Sequence, residues 1–275
     1  MTTYDYTMIS VTIGDDYVAT VELQNAPVNF FDMRMIKELV DAFTKLDEDN
    51  RCRAIVLAAA GKVFSAGANF GDGSNKDSSI GGVEEKSTTN ESGFRSSSSL
   101  LYAEAVRLFK NRKPIIGAIE GSAIGGGLGL ALVPDFRVSC IEAKFAANFS
   151  QLGIHPGFGL THTLPALIGQ QQAHRLFYTG KRINGEAAEK IGLIDTLVER
   201  SEVRAEAHRQ AVEIAGAAPL AVMSVRETVR AGLGDRVETA TQREGAEQAW
   251  LIETADAAEG MKAVSERRVG NFKHA

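Results

Sequence analysis

Pro114-Ile-Ile-Gly-Ala-Ile-Glu-Gly-Ser-Ala-Ile-Gly-Gly-Gly-Leu-Gly-Leu-Ala-Leu-Val133 is the most apolar stretch of the chain, and its reading decides the fold. Its length would suit a membrane span, but Glu120 and six glycines (Gly117, Gly121, Gly125, Gly126, Gly127 and Gly129) interrupt it. It reads instead as a buried strand, Ile115 to Ile119, a glycine turn, and a helix running to about Val133. Upstream, Val18 to Leu23 and Ala54 to Ala58 read as strands around an amphipathic helix from Arg34 to Leu46, and a helix from Leu100 to Lys110 precedes the central strand. Downstream, Asp135 to Cys140 and Lys144 to Phe149 read as strands, the second leading into the turn Gly153-Ile154-His155-Pro156-Gly157. This alternation is an α/β rhythm. After Val198 the pattern turns wholly helical and charged, with apolar residues at helical spacing through Val203, Ala207, Ala211 and Ile214. The division expected is a core over residues 1–199 and a helical C-terminal region over residues 200–275.

The remaining composition narrows the functional classes. The 275 residues are 44% hydrophobic and 24% charged, enough apolar material for a sizeable core and too much for intrinsic disorder. A net charge of −5 speaks against a nucleic-acid or anionic-membrane binder. Cys52 and Cys140 cannot make a disulfide framework and have no metal-ligand spacing, and the start of the chain lacks the basic and apolar regions of a secretory signal. A cytoplasmic location is expected. His162, His174, His208 and His274 show no mutual metal spacing, so no metal site is expected. Residues 71–99 hold nine Ser and five Gly, which reads as a flexible loop or a lid beside a site.

Gly125-Gly126-Gly127-Leu128-Gly129 follows a strand and opens a helix, so amides without partners point outward there and suit an anion or oxyanion. A dinucleotide fingerprint is excluded, because Leu130 and Leu132 stand where its third glycine would be. A second small-residue turn, Phe64-Ser65-Ala66-Gly67-Ala68-Asn69, follows the strand around Val56 and could converge with the first.

These two turns, with Lys113 to Gly121, Pro134-Asp135-Phe136-Arg137, Tyr178 to Ile183, Ala187 to Asp195 and Glu259 to Arg268, give a sequence that resembles the enoyl-CoA hydratase/isomerase (crotonase) superfamily from about Val11 to Phe272. The resemblance implies an α/β fold, a spiral of ββα units with a C-terminal helical trimerisation region, assembled as a homotrimer or a dimer of trimers. It implies an acyl-CoA substrate, with coenzyme A as part of that substrate and no separate cofactor. Two backbone amides, mapping to Ala68 and Gly126, would hold the thioester oxygen as it becomes an anion. Ala66, Asn69, Gly125, Asn148 and Phe149 are candidate substrate-binding positions, with Asn69 and Asn148 reading equally as turn-forming residues, and Phe149, Phe30, Phe31 and Phe158 reading as acyl-pocket wall or as plain core.

The sequence departs from the family where family hydratases carry two glutamates, at Gly129 and Phe149, and where family dehalogenases carry an aspartate, at Gly157. Neither Gly129 nor Phe149 can accept a proton, so two-glutamate hydration is not expected. His155 is the ionisable side chain left near the mapped site, as general acid or base or as a turn-capping residue. A lyase or isomerase acting on acyl-CoA is expected, and a non-catalytic acyl-CoA-binding or assembly subunit is the alternative. Lys181, Arg182, Lys262, Arg267 and Arg268 could contact CoA phosphates, or lie on solvated faces.

Overall fold

The structure is a computed structural model that describes residues 4–68 and 100–274. Asn69 and the 71–99 segment lie outside the described residues.

β1 (Ile9–Ile13) and β2 (Val18–Leu23) form an antiparallel hairpin. α1 (Met33–Glu48) starts where the Asp32 carboxylate accepts the Met35 amide at 2.9 Å, and it buries Met35, Ile36, Leu39, Val40, Phe43 and Leu46 along one stripe. β3 (Ala54–Ala59) returns parallel to β2, and β4 (Val63–Ser65) leaves that sheet to begin a second one. Residues 100–105 are helical and tighten into a 3-10 turn, Val106–Lys110. The cycle then repeats as β5 (Ile115–Ile119), β6 (Ser122–Ile124) and α2 (Gly126–Ala131), and again as β7 (Phe136–Ser139) and β8 (Lys144–Ala146). α3 (Leu160–Ile168), α4 (Gln170–Thr179), β9 (Ile183–Asn184), α5 (Gly185–Lys190) and β10 (Thr196–Leu197) complete the core.

Each cycle places its first strand in a sheet of order β1-β2-β3-β5-β7-β10 and its second in a sheet of order β4-β6-β8-β9, which makes the chain a spiral. The β2-β3-β5-β7-β10 neighbours are parallel. Every residue of β3 and β5 is buried, as a parallel sheet covered on both faces requires.

The expected strand from Lys144 to Phe149 is corrected. β8 stops at Ala146, and Asn148–Leu152 wind into a 3-10 turn closed by Gly153 at φ 71°. The cause lies in the neighbouring strand: Ile124 pairs with Ala146, and the next residue, Gly125, turns away to begin α2, so β8 has no ladder to continue. The turn before the triple glycine also contains a strand, β6, where only a glycine turn was expected.

α6 (Val203–Ala215), α7 (Pro219–Val229), α8 (Leu233–Leu251) and α9 (Ala255–Ser265) follow. α6 packs on β3, β5 and β7, α8 on the 106–110 turn and α3, and α9 on the 148–152 turn. A half-buried polar knot fastens α7 to the sheet: the Asp135 carboxylate accepts Arg226 Nε at 2.9 Å, Arg230 Nη1 at 2.5 Å and the Ile115 amide at 2.8 Å. Among the described residues no helix is long and apolar enough to cross a membrane.

Candidate active site

The first small-residue turn is stitched down by its own polar groups. The Ser65 hydroxyl donates to Asn29 O at 2.8 Å and accepts the Gly67 amide at 3.1 Å, while Asn29 Nδ2 donates to Ala60 O and Val63 O, each at 2.7 Å. The Ala66 amide donates to Val28 O and the Phe31 amide to Gly67 O. Ala68 forms a parallel bridge with Phe31, and its own amide has no acceptor among the described residues.

The glycine turn is equally constrained. Gly125, at φ 57° and ψ −122°, donates its amide to Ala146 O at 2.8 Å and accepts from the Leu128 and Gly129 amides. The amides of Gly126 and Gly127, in the first turn of α2, have no acceptor among the described residues.

The two turns meet backbone to backbone. A Cβ on Gly67, whose φ is +86°, would lie 3.0 Å from Gly126 N, and a Cβ on Gly127 would lie 2.1 Å from Ser65 O. Only glycine fits at either position. Since Ala68 follows Gly67 directly, covalent geometry keeps the Ala68 and Gly126 nitrogens within roughly 7 Å of each other, which puts both amides on the same side of the contact between the two turns.

Aromatic rings fill the space around Gly129 and Gly157. A Cβ on Gly129 would meet Phe158 Cβ at 2.7 Å, and one on Gly157 would meet Tyr102 Cε2 at 2.4 Å. Phe149 is buried with its Cζ beside Gly125. The Phe158 ring packs tilted or edge-on against Phe31 (centroids 5.4 Å), Tyr102 (5.9 Å) and Phe109 (6.3 Å), and Phe31 Cζ would touch a Cβ on Gly126 at 2.7 Å. Phe31, Phe149 and Phe158 therefore surround the glycine turn. Phe30 is half-buried and stands outside that ring cluster. Burial and the nearby Glu244 carboxylate push the Tyr102 phenol above its ordinary range, so it stays protonated.

Asn148, buried in the 3-10 turn, holds its Oδ1 against the Gly125 backbone, and Ala66 lies two residues before Ala68. His155 is half-buried. Its Nδ1 lies 2.9 Å from Pro156 O, a carbonyl that can only accept, so Nδ1 is the donor of that contact and Nε2 is not used in it. The His155 carbonyl accepts Gln248 Nε2 at 2.8 Å. Glu120 and Asp135, which flank the glycine turn in sequence, are occupied by Arg204 and by Arg226 and Arg230. Arg268 is held by Glu259 and Glu266.

Three residues around the site were not singled out in the sequence: Tyr102, Glu244 and Gln248. Glu244 and Gln248 lie four apart on α8, among charged residues whose spacing looks like a solvated face, yet both are buried. Glu244 Oε2 accepts the Gly159 amide at 2.7 Å, and Oε1 accepts the Thr161 amide at 2.8 Å and the Thr161 hydroxyl at 2.6 Å. Burial pushes this carboxyl up, while three donors at the N-terminus of α3 favour its ionised form.

The enoyl-CoA hydratase/isomerase family profile matches residues 14–275. The chain belongs to this family. It is 31% identical over 260 residues to a probable enoyl-CoA hydratase of Bacillus subtilis, covering 94% of this chain and 96% of that protein. It is 32% identical over 246 residues to the crotonyl-CoA hydratase of Syntrophomonas wolfei, covering 89% and 90%. Among solved structures, the enoyl-CoA hydratase from Bacillus anthracis superposes with a TM-score of 0.72 at 30% identity, over 98% of this chain and all of that one. The α/β spiral with C-terminal helices is thus the fold of the crotonase family. Among the described residues, no group of three His, Cys, Asp or Glu is placed to hold a metal ion.

Proposed function

We propose that this crotonase-family chain binds acyl-CoA thioesters and stabilises the anion forming on the thioester oxygen, with the Ala68 and Gly126 amides as its two donors. The observation that supports the reading is the interlocking of the two turns, which sets both amides close together and leaves them without an acceptor among the described residues. A donor of this kind contributes about 2.7–4 kcal/mol of transition-state stabilisation. Ala66, Asn69, Gly125, Asn148 and Phe149 are the proposed substrate-binding positions, and Phe31 and Phe158 line the acyl end. A homotrimer or a dimer of trimers in the cytoplasm, acting without a separate cofactor, completes the proposal.

The reaction proposed is a lyase or isomerase step on the acyl group rather than two-glutamate hydration. Gly129 and Phe149 supply no carboxylate, and each missing acid or base costs about 10²–10⁴-fold. His155 Nε2 is the proposed proton acceptor or donor. The second reading, a non-catalytic acyl-CoA binder, draws on the hydrogen bond between His155 Nδ1 and Pro156 O, which also suits a ring that only closes its turn.

One experiment separates the two. The purified protein is incubated with saturated, unsaturated and aromatic acyl-CoAs; product is followed by mass spectrometry and binding by calorimetry, for the wild type and for His155→Ala. Turnover that falls about 10²-fold or more in the variant, with CoA affinity unchanged, supports the enzyme. Binding without any product supports the binder, and absence of both binding and product ends the acyl-CoA reading.

A further inference from the structure

The turn from His155 to Thr161 carries both the proposed proton carrier and the Phe158 ring, and it does not hold its shape unaided. Phe158 and Gly159 adopt successive left-handed backbones, φ 65° and 71°. That conformation is unfavourable for a phenylalanine and persists only where its surroundings enforce it. In it, Phe158 lies against Gly129 and Phe31, the two contacts that bring its ring to the glycine turn.

The enforcement comes from α8. Glu244 accepts the amides of Gly159 and Thr161 and the Thr161 hydroxyl, and Gln248, one helical turn later, donates to the His155 carbonyl. Between these tethers, Gly157 is pressed against Tyr102 and Gln248, with no room for a Cβ. A fully buried carboxylate that spends both oxygens on main-chain and hydroxyl donors of another element is costly to desolvate, and it is retained here where a strained turn needs fixed acceptors.

We infer that Glu244 and Gln248 are positioning residues, a clamp by which the C-terminal helix α8 fixes the His155–Thr161 turn and so sets the shape of the acyl end of the site. The inference rests on the acyl-CoA reading for its functional half. Its structural half, that these two side chains hold the turn, does not. Neither residue touches the thioester in this scheme. Both act through Phe158 and His155, so their loss should alter how the site treats the acyl group while leaving recognition of CoA itself intact.

The test uses the full chain with Glu244→Gln, which keeps the side-chain shape but turns an amide NH2 toward a backbone donor, and with Gln248→Leu, which removes the donor to His155 O. Thr161→Val serves as a milder break of the Glu244 contact should Glu244→Gln fail to fold. Hydrogen exchange read by mass spectrometry is expected to quicken by about tenfold or more over peptides covering 155–161, with α1 unchanged. Calorimetry with free CoA, butyryl-CoA and hexanoyl-CoA is expected to show CoA affinity unchanged and the butyryl-to-hexanoyl preference shifted by about fivefold or more. Exchange at the wild-type rate in 155–161 overturns the clamp. Quickened exchange with an unaltered acyl preference overturns its role in the site. If the wild type binds no CoA ester, the acyl-CoA reading falls, and the exchange measurement still decides whether the clamp exists.

Discussion

At the scale of single residues, the site is governed by what glycine leaves out. Gly67 and Gly127 let two main chains touch, while Gly129 and Gly157 make room for the rings of Phe158 and Tyr102. A glycine at position 129 is therefore required by packing. Gly129→Glu would not restore a hydratase, because its first side-chain carbon would already lie 2.7 Å from Phe158 Cβ inside the core. Overpacking of this kind costs about 1–3 kcal/mol and more where a charge is buried with it. We expect Gly129→Glu to lower the melting temperature by several degrees and to gain no crotonyl-CoA hydration. A stable variant with hydratase turnover would show that the ring yields and that the carboxylate position remains open.

At the scale of elements, the ion knot at Asp135 shows how the helical region and the spiral hold each other. Arg226 is the one buried side chain of α7, and it meets Asp135 at the foot of β7 together with Arg230 and the first amide of β5. Removing the Asp135 charge leaves the buried Arg226 guanidinium uncompensated, at up to about 3–5 kcal/mol. Asp135→Asn should thus lower the melting temperature by roughly 10 °C in a calorimetric scan; a shift of less than 2 °C would mean that α7 is fastened elsewhere. The same elements show what could be read without coordinates. β2, β3, β5 and α1 announce themselves by apolar runs or a 3.6-residue stripe, and the Ala68 and Gly126 turns by their small residues. β4, β6, β9 and β10, at two or three residues each, are too short to show a period. The 3-10 turn at Asn148 continues a strand-like run and ends it only because Gly125 removes the neighbour. Glu244 and Gln248 could not be found by spacing, since a helix carrying a buried carboxylate has the same pattern as one with a charged face in water. Nor does any sequence signal mark Phe158 as left-handed.

At the scale of the whole molecule, α7 is turned inside out. Its buried side chain is an arginine, while Leu220, Val225 and Val229 are 79%, 61% and 74% exposed. Elsewhere in the helical region Trp250 is 54% exposed, although α6, α8 and α9 bury their other faces against the core. Apolar side chains facing outward on consecutive turns of one helix are what a subunit contact would cover. The charged inner face is accounted for by Asp135, so α7 cannot rotate to hide them without breaking that knot. The expected solution state is a trimer or a dimer of trimers of 29.5 kDa protomers, measured by multi-angle light scattering at micromolar concentration. If α7 contributes to the contact, Leu220→Lys with Val225→Lys should shift the mass toward the monomer while leaving the far-ultraviolet circular dichroism unchanged, because neither side chain supports the protomer's own core. A wild-type monomer at that concentration would refute the assembly. An unchanged oligomer in the double variant would move the contact to another face.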